Sequence, residues 1–167
     1  MTHRVILTLW RHGEAGAAAT DEARVLTQRG CQEVAQLVEG YRQWMVDTAI
    51  APVSSLFYSP LKRTEETALI LQGTLEPKRS QVWPALVPGA QPADFTESGL
   101  EKYSHGILVS HQPFLSWAIQ VWADDDSLLP LAPGGYSVLS VLSLERGGAE
   151  VIRHQPDPRA APPNSAR

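Results

Sequence analysis

The sequence has little cysteine, no long apolar run and no excess of positive charge, and each shortage excludes a kind of protein. Its one cysteine, Cys31, excludes an internal disulfide and leaves no set of thiolates for a cysteine-rich zinc site. No run of about 18 apolar residues occurs, so no membrane span is predicted. The formal net charge of -4 argues against a nucleic-acid binder, because affinity for phosphate backbones needs a surplus of lysine and arginine.

What is present fits one folded domain. The chain has 167 residues, of which 43% are apolar and 19% are charged, enough for one hydrophobic core and too few for two domains of ordinary size. The first residues lead directly into a strand-like run without the apolar region and cleavage site of a signal peptide, so we expect a cytoplasmic protein. We expect residues 1–154 to form the domain and residues 155–167, rich in proline and alanine, to form a C-terminal tail.

The apolar pattern predicts strands that alternate with helices. One helix is predicted to begin with Thr27 as its N-cap. A second is predicted to begin with Ser59 as the capping hydroxyl and Pro60 at the first helical position, and to end at Gly73. A third is predicted at residues 114–122. A further short helix is expected at residues 95–103. Strands are predicted at residues 4–10, 54–58, 82–83, 106–110, 136–144 and 150–154. This alternation implies an α/β domain with three layers, α/β/α, around a mostly parallel central sheet.

Four polar side chains fall near the carboxyl ends of predicted strands, where open α/β sheets bind their ligands. Arg11 and His12 follow the first strand, Arg63 lies in the helix after the second, and His111 follows a later buried strand. Two arginines suit a phosphoryl group, because guanidinium forks match its oxygens and stay protonated. A neutral imidazole is a competent nucleophile near pH 7, and Gly13 lets the backbone approach a ligand closely.

Four segments resemble the motifs of the histidine phosphatase superfamily, in the same order and at similar intervals. They are residues 11–15 (RHGEA), 26–30 (LTQRG), 59–68 (SPLKRTEETA) and 110–113 (SHQP). The resemblance covers roughly residues 5–144 and implies a phosphoglycerate-mutase-like fold. Within the superfamily the chain looks most like the SixA-type phosphohistidine phosphatases, which have a similarly reduced segment before the second histidine. Val25 stands where their R-P-L-T stretch has proline.

The resemblance implies a role for each matching residue. His12 is the expected nucleophile, which becomes phosphorylated, and Arg11, Arg63 and His111 are expected to hold the phosphoryl oxygens. Arg24 either extends this binding site or lies on the loop surface. The implied enzyme is a metal-independent phosphatase that needs no cofactor.

The motifs do not select a general acid. Superfamily members that act on alkyl esters commonly carry an acidic residue in the middle segment, where this chain offers Asp94, Glu97 and Glu101. An imidazole leaving group needs less protonation than an alkoxide, so a phosphohistidine phosphatase tolerates an imperfect acid. We therefore expect a phosphorylated protein, such as a histidine-containing phosphotransfer domain, as the partner, and neither nucleic acid nor membrane. A small-molecule phosphomonoesterase using the same site and a non-catalytic module that binds a phosphorylated ligand are the alternatives.

The remaining chemically active side chains have simpler explanations. Cys31 lies on the apolar stripe of its helix and is expected in the core. The acidic run 124–126 is expected to end the preceding helix in solvent rather than to bind a metal. His3, His105 and His154 are expected at the surface.

Overall fold

The computed structural model describes residues 3–96 and 103–160 and shows a central sheet covered by helices. The predicted helix at residues 95–103 falls largely on residues 97–102, outside the described part. The described elements are β1 (Val5–Arg11), α1 (Gln28–Asp47), β2 (Ser55–Tyr58), α2 (Lys62–Leu75), β3 (Arg79–Val82), two 3-10 turns (Pro84–Leu86 and Pro92–Asp94), β4 (His105–Ser110), α3 (Phe114–Trp122), β5 (Tyr136–Val141) and β6 (Ala149–Gln155).

The sheet is mostly parallel, as predicted. Its strand order is β3-β2-β4-β1-β5-β6; the first four strands run parallel, β5 runs antiparallel to β1, and β6 runs antiparallel to β5. Helices α1 and α2 pack in one apolar cluster on one face, and α3 packs in a second cluster on the other. The three-layer α/β/α prediction is therefore confirmed.

Side chains alternate between these two layers along each central strand. In β1, Leu7 and Leu9 pack with α3, whereas Trp10 packs with α1 through an edge-on contact with Tyr41. All six residues of β4 are buried. Burial on both faces is the reason why these strands read as continuous apolar runs in the sequence.

Of the two predicted N-caps, Thr27 is confirmed and Ser59 is wrong, while α3 begins and ends at residues 114 and 122 as predicted. The Thr27 side chain accepts a hydrogen bond from the Gly30 N–H at 2.9 Å and caps α1. Helix α2 begins at Lys62 instead of at Ser59-Pro60, and its N-cap, Leu61, supplies no side-chain bond. The Ser59 hydroxyl is turned away from the helix, toward the site described below.

The predicted end of α2 at Gly73 is also wrong. The helix continues to Leu75, whose side chain packs against the apolar cluster of α1 and α2. It ends at Glu76, which has a left-handed conformation (φ 46°) and donates its N–H to the Gln72 carbonyl oxygen at 3.0 Å. The apolar contact of the last turn thus outweighs the low helix propensity of one glycine.

His105 is buried at the start of β4, so its predicted surface position is wrong. Its Nδ1 lies 2.8 Å from the Ala51 carbonyl oxygen, which can only accept, so Nδ1 carries the proton. The Tyr41 hydroxyl then donates to Nε2 at 2.7 Å and accepts from the Thr8 hydroxyl at 2.6 Å. Burial lowers the pKa of His105, which keeps this polar chain neutral. His154 is half-buried and bonds Ser137, whereas His3 is exposed.

The last strand extends one residue past the boundary drawn at residue 154. Gln155 pairs with Tyr136 in β6, is buried, and donates from Nε2 to the carbonyl oxygens of Asp157 and Ala160. Residues 161–167 lie outside the described part. Within the described residues, no helix has both the length and the apolar character needed to cross a bilayer.

Candidate active site

The register of β1 and β4 places two histidines side by side at the carboxyl edge of the sheet. Arg11 lies opposite Ser110 in the parallel pairing, so the next residue of each chain segment, His12 or His111, leaves the sheet at the same level. The His12 N–H donates to the Ser110 carbonyl oxygen at 3.2 Å, and the two imidazole rings have centroids 5.2 Å apart. The topology therefore brings together two residues that are distant in sequence.

His12 is held as a neutral imidazole with a free nitrogen. Its Nδ1 lies 2.8 Å from the Gly13 carbonyl oxygen, so Nδ1 carries the proton and Nε2 keeps its lone pair. Burial, together with the positive charges of Arg63, Arg11 and Arg24 and against the opposing effect of the Gly13 hydrogen bond, lowers the pKa of His12 to about 4. At neutral pH the ring is a nucleophile ready for attack.

Gly13 is needed for packing and for orienting His12. A Cβ at this position would lie 2.9 Å from Val34 Cγ2 and 3.2 Å from the Gly30 carbonyl oxygen, so a side chain would collide with α1. The Gly13 N–H donates to Thr67 Oγ1 on α2 at 3.0 Å. The backbone at Gly13 therefore approaches α1 closely, and its N–H already donates a hydrogen bond to Thr67.

The two arginines reach the site from different elements. Arg63, in the first turn of α2, is only 4% exposed, and Arg11 ends β1. Arg11 Nη1 donates to the Leu131 carbonyl oxygen at 2.8 Å, and both terminal nitrogens of Arg63 donate to Asp21. The Nε–H of each arginine is buried without a partner. Both charges act on the pKa of His12, so the guanidinium groups lie near its ring.

Ser59 fixes the orientation of His111. The Ser59 hydroxyl lies 2.9 Å from His111 Nε2, and both side chains are buried. If the hydroxyl donates to Nε2, the ring proton is on Nδ1, which is buried and has no partner. Burial, reinforced by the neighbouring His12 and Arg63, lowers the pKa of His111 to about 3. In that tautomer His111 offers one unused N–H donor beside His12.

Unpartnered donors concentrate in this site. Six buried side-chain nitrogen or oxygen atoms of the described residues lack a hydrogen-bond partner, and three of them belong to Arg11, Arg63 and His111. Buried polar groups are otherwise almost always paired, since an unmet donor costs about 1–3 kcal/mol. Three unmet donors, two of them cationic, favour an oxyanion as the missing partner.

Arg24 lies at the border of the site and bonds its own loop. Its Nε donates to the Gly16 carbonyl oxygen at 2.9 Å, its Nη2 to that of Ala15 at 3.4 Å, and its Nη1 to Asp21 Oδ1 at 3.2 Å. Its charge still acts on the pKa of His12. The structure therefore shows Arg24 holding the loop while adding positive potential.

The expected general acids do not join the site among the described residues. Asp94 is exposed, and its Oδ2 accepts from the Gln91 N–H at 2.8 Å, closing the 3-10 turn Pro92–Asp94. Glu97 and Glu101 lie outside the described residues. The carboxylate that does reach the site is Asp21, which belongs to no motif and carries no distinguishing signal in the sequence.

The acidic run after α3 is engaged in local contacts. Asp124 pairs with Arg146 at 2.7 Å, and Asp125 accepts from the N–H and hydroxyl of Ser127. Across residues 3–96 and 103–160, no group of three or more histidine, cysteine, aspartate or glutamate side chains is placed to hold a metal ion.

Comparison with known proteins agrees with this geometry. Residues 7–87 match the sequence model of the histidine phosphatase superfamily (branch 1), and the matched part carries Arg11, His12 and Arg63. Residues 7–87 therefore carry the sequence signature of the histidine phosphatase superfamily, and the fold of the chain is the phosphoglycerate-mutase-like fold of SixA. No curated protein sequence matches the chain significantly.

Solved structures share the fold over nearly the whole chain. The protein histidine phosphatase SixA complexed with tungstate is 19% identical with a TM-score of 0.75, covering 91% of this chain and 97% of that one. A protein from Nakamurella multipartitia described as a phosphohistidine phosphatase SixA is 23% identical with a TM-score of 0.72, covering 94% and 98%. The alpha-ribazole phosphatase from Shigella flexneri is 18% identical with a TM-score of 0.63, covering 96% and 100%.

Proposed function

We propose that the protein is a phosphatase that acts through a phosphorylated His12 and removes phosphoryl groups from phosphohistidine on proteins. The observation that carries the proposal is the free Nε2 of a neutral His12 beside three buried, unpartnered donors on Arg11, Arg63 and His111. A nucleophile next to a cluster of donors suited to oxyanion binding is the arrangement that phosphoryl transfer requires.

In the first step, His12 Nε2 attacks phosphorus as the bond from phosphorus to the leaving nitrogen breaks. The substrate ring reacts with a proton already on its other nitrogen, so that when the phosphoryl group moves to Nε2 the leaving imidazole takes the electron pair of the P–N bond and departs neutral. Arg11, Arg63 and His111 donate hydrogen bonds to the phosphoryl oxygens, whose charge they stabilise in the transition state. Arg24 contributes positive potential from the border of the site.

In the second step, water attacks the phosphorus of phosphorylated His12. The bond to Nε2 breaks, inorganic phosphate leaves, and the neutral ring is restored with its proton still on Nδ1. The hydrogen bond to Gly13 holds the ring in the same orientation through both steps.

The choice of phosphohistidine over an alkyl ester rests on leaving-group chemistry. Asp94 is used in a 3-10 turn, and the hydrogen bonds from Arg63 and Arg24 lower the pKa of Asp21, so neither is a protonated acid directed at the site. An imidazole leaves with less proton assistance than an alkoxide. A histidine-containing phosphotransfer domain in the cytoplasm is the kind of partner that fits; nucleic acid and membrane are not required.

The test compares substrates and variants in one assay. We expect a phosphohistidine carrier protein to be dephosphorylated with higher kcat/KM than a sugar phosphate, with an activated aryl phosphate confirming an intact site. His12→Ala should abolish turnover, and Arg63→Ala or His111→Ala should reduce it by orders of magnitude. His3→Ala is the matched control, because His3 is exposed and precedes β1 at the opposite edge of the sheet.

Three outcomes would contradict the proposal. Near wild-type turnover by His12→Ala rejects the covalent mechanism. Equal or better turnover of a sugar phosphate favours the small-molecule phosphomonoesterase. Oxyanion binding with no phosphate released from any substrate favours the non-catalytic module.

A further inference from the structure

Asp21 accepts hydrogen bonds from two arginines, Arg63 and Arg24, at the border of the site. Arg63 Nη1 donates to the Asp21 carbonyl oxygen at 2.7 Å, and Arg63 Nη2 donates to Oδ2 of its carboxylate at 2.9 Å. The other carboxylate oxygen, Oδ1, accepts from Arg24 Nη1 at 3.2 Å. One aspartate therefore holds both guanidinium groups.

The contact joins a buried side chain to an exposed loop. The Arg63 side chain is 5% exposed and that of Asp21 is 53% exposed, and residues 17–23 are all exposed. The base of this loop is fixed, since the Gly16 N–H donates to the Val25 carbonyl oxygen at 2.9 Å. Hydrogen bonds from Arg63 and Arg24 lower the pKa of Asp21, which keeps the carboxylate ionised.

The hydrogen bonds to Asp21 decide which edge of Arg63 is free. A guanidinium binds an oxyanion either end-on, through its two Nη atoms, or side-on, through Nε and one Nη. Asp21 occupies one hydrogen of each Nη atom at the end of the fork. The side edge remains, and its Nε–H is buried without a partner.

We propose that Asp21 is a positioning residue that stays bound to Arg63 and directs its Nε–Nη2 edge at the phosphoryl group. This inference rests on the proposed function and adds a residue to it. The opposite hypothesis makes the Asp21 carboxylate a stand-in for the substrate that must leave before the anion binds. The two hypotheses predict opposite effects of removing the Asp21 carboxylate. Anion binding weakens if the carboxylate supports Arg63, and it strengthens if the carboxylate competes with the anion.

The experiment compares Asp21→Asn with Glu22→Gln. Each substitution removes one negative charge from the same exposed loop, so general repulsion of an anion changes alike in both. Orthovanadate inhibition and kcat/KM for an aryl phosphate are measured for each. We expect Asp21→Asn to lower both the affinity for orthovanadate and kcat/KM about tenfold, which is less than the roughly hundredfold that a 1 Å misplacement can cost. We expect Glu22→Gln to stay near wild type in both measurements.

A double-mutant cycle separates positioning from a general loop effect. In an Arg63→Lys background no planar fork remains to be aligned, so Asp21→Asn should cause no further loss. Tighter vanadate binding by Asp21→Asn, equal values for Asp21→Asn and Glu22→Gln, or full additivity with Arg63→Lys would each overturn the inference. A wild-type protein that neither binds vanadate nor releases phosphate would instead overturn the proposed function, and this inference with it.

Discussion

The acid limb of the pH profile tests the electrostatics of the site most directly. An imidazole with an ordinary pKa of 6.5 is about 3% neutral at pH 5. Burial beside three arginines lowers the pKa of His12 to about 4, which leaves about 90% of the ring neutral at pH 5. The two expectations differ about thirtyfold in the concentration of nucleophile. We therefore predict that kcat/KM is nearly constant from pH 7 to pH 5 and falls only below that.

The measurement is kcat/KM for an aryl phosphate between pH 4 and 8, divided by the fraction of substrate present as dianion. This ratio reports groups of the free enzyme. Circular dichroism must show a folded protein at each pH, because stability falls with acid: the unfolded chain takes up protons below pH 6.5 that His12, His111 and His105 refuse in the folded state. A fall of about fivefold between pH 6.5 and pH 5.5 in a folded protein, as an imidazole with an ordinary pKa would give, would refute the reasoning.

Three further predictions concern Ser59, Tyr41 and the dependence of activity on metal ions. Ser59→Ala should lower kcat by about tenfold, because His111 loses the partner that fixes its orientation, while Ser59→Thr retains activity in a steady-state assay. Tyr41→Phe should lower the free energy of unfolding by about 1–3 kcal/mol, measured by urea denaturation at pH 7, since it leaves Thr8 and His105 without their shared partner; an unchanged midpoint would contradict this. Activity should survive prolonged chelation, and a large loss restored by a divalent metal would show that guanidinium groups alone do not meet the phosphoryl charge.

The central strands and the three-layer arrangement could be predicted because their signal is local, whereas the exposed edge strand β3 (Arg79–Val82) overlaps its prediction, residues 82–83, by one residue. β4 is buried on both faces and reads as an apolar run, and α1 shows its stripe and its Thr27 cap. Helix ends were harder, since they depend on contacts across the fold. Helix α2 continues past Gly73 because Leu75 packs on the core. Ser59 does not cap α2, because its hydroxyl bonds His111 instead. A sequence pattern does not contain those partners.

In the candidate site, too, residues with a local sequence signal were predicted, and one that depends on contacts across the fold was missed. His12 and His111 were predicted because strand ends and motifs mark them, and the register of β1 and β4 brings them together. Asp21 was missed because an aspartate in a loop of small residues looks like solvent-exposed surface. Its importance comes only from the distance to Arg63, whose own position depends on where α2 begins.

The site is also the least well-satisfied part of the core, which links its stability to its chemistry. Unpaired donors on Arg11, Arg63 and His111 cost folding free energy, and the two histidines kept neutral by burial add to that cost below pH 6.5. The surrounding sheet supports the site, because β1 and β4 each pair with a neighbouring strand on both sides. An oxyanion would satisfy the donors, and its negative charge would offset the repulsion between the guanidinium groups. The same features that destabilise the site would therefore favour the transition state of the proposed phosphoryl transfer, in which charge develops on oxygens that those donors can bind.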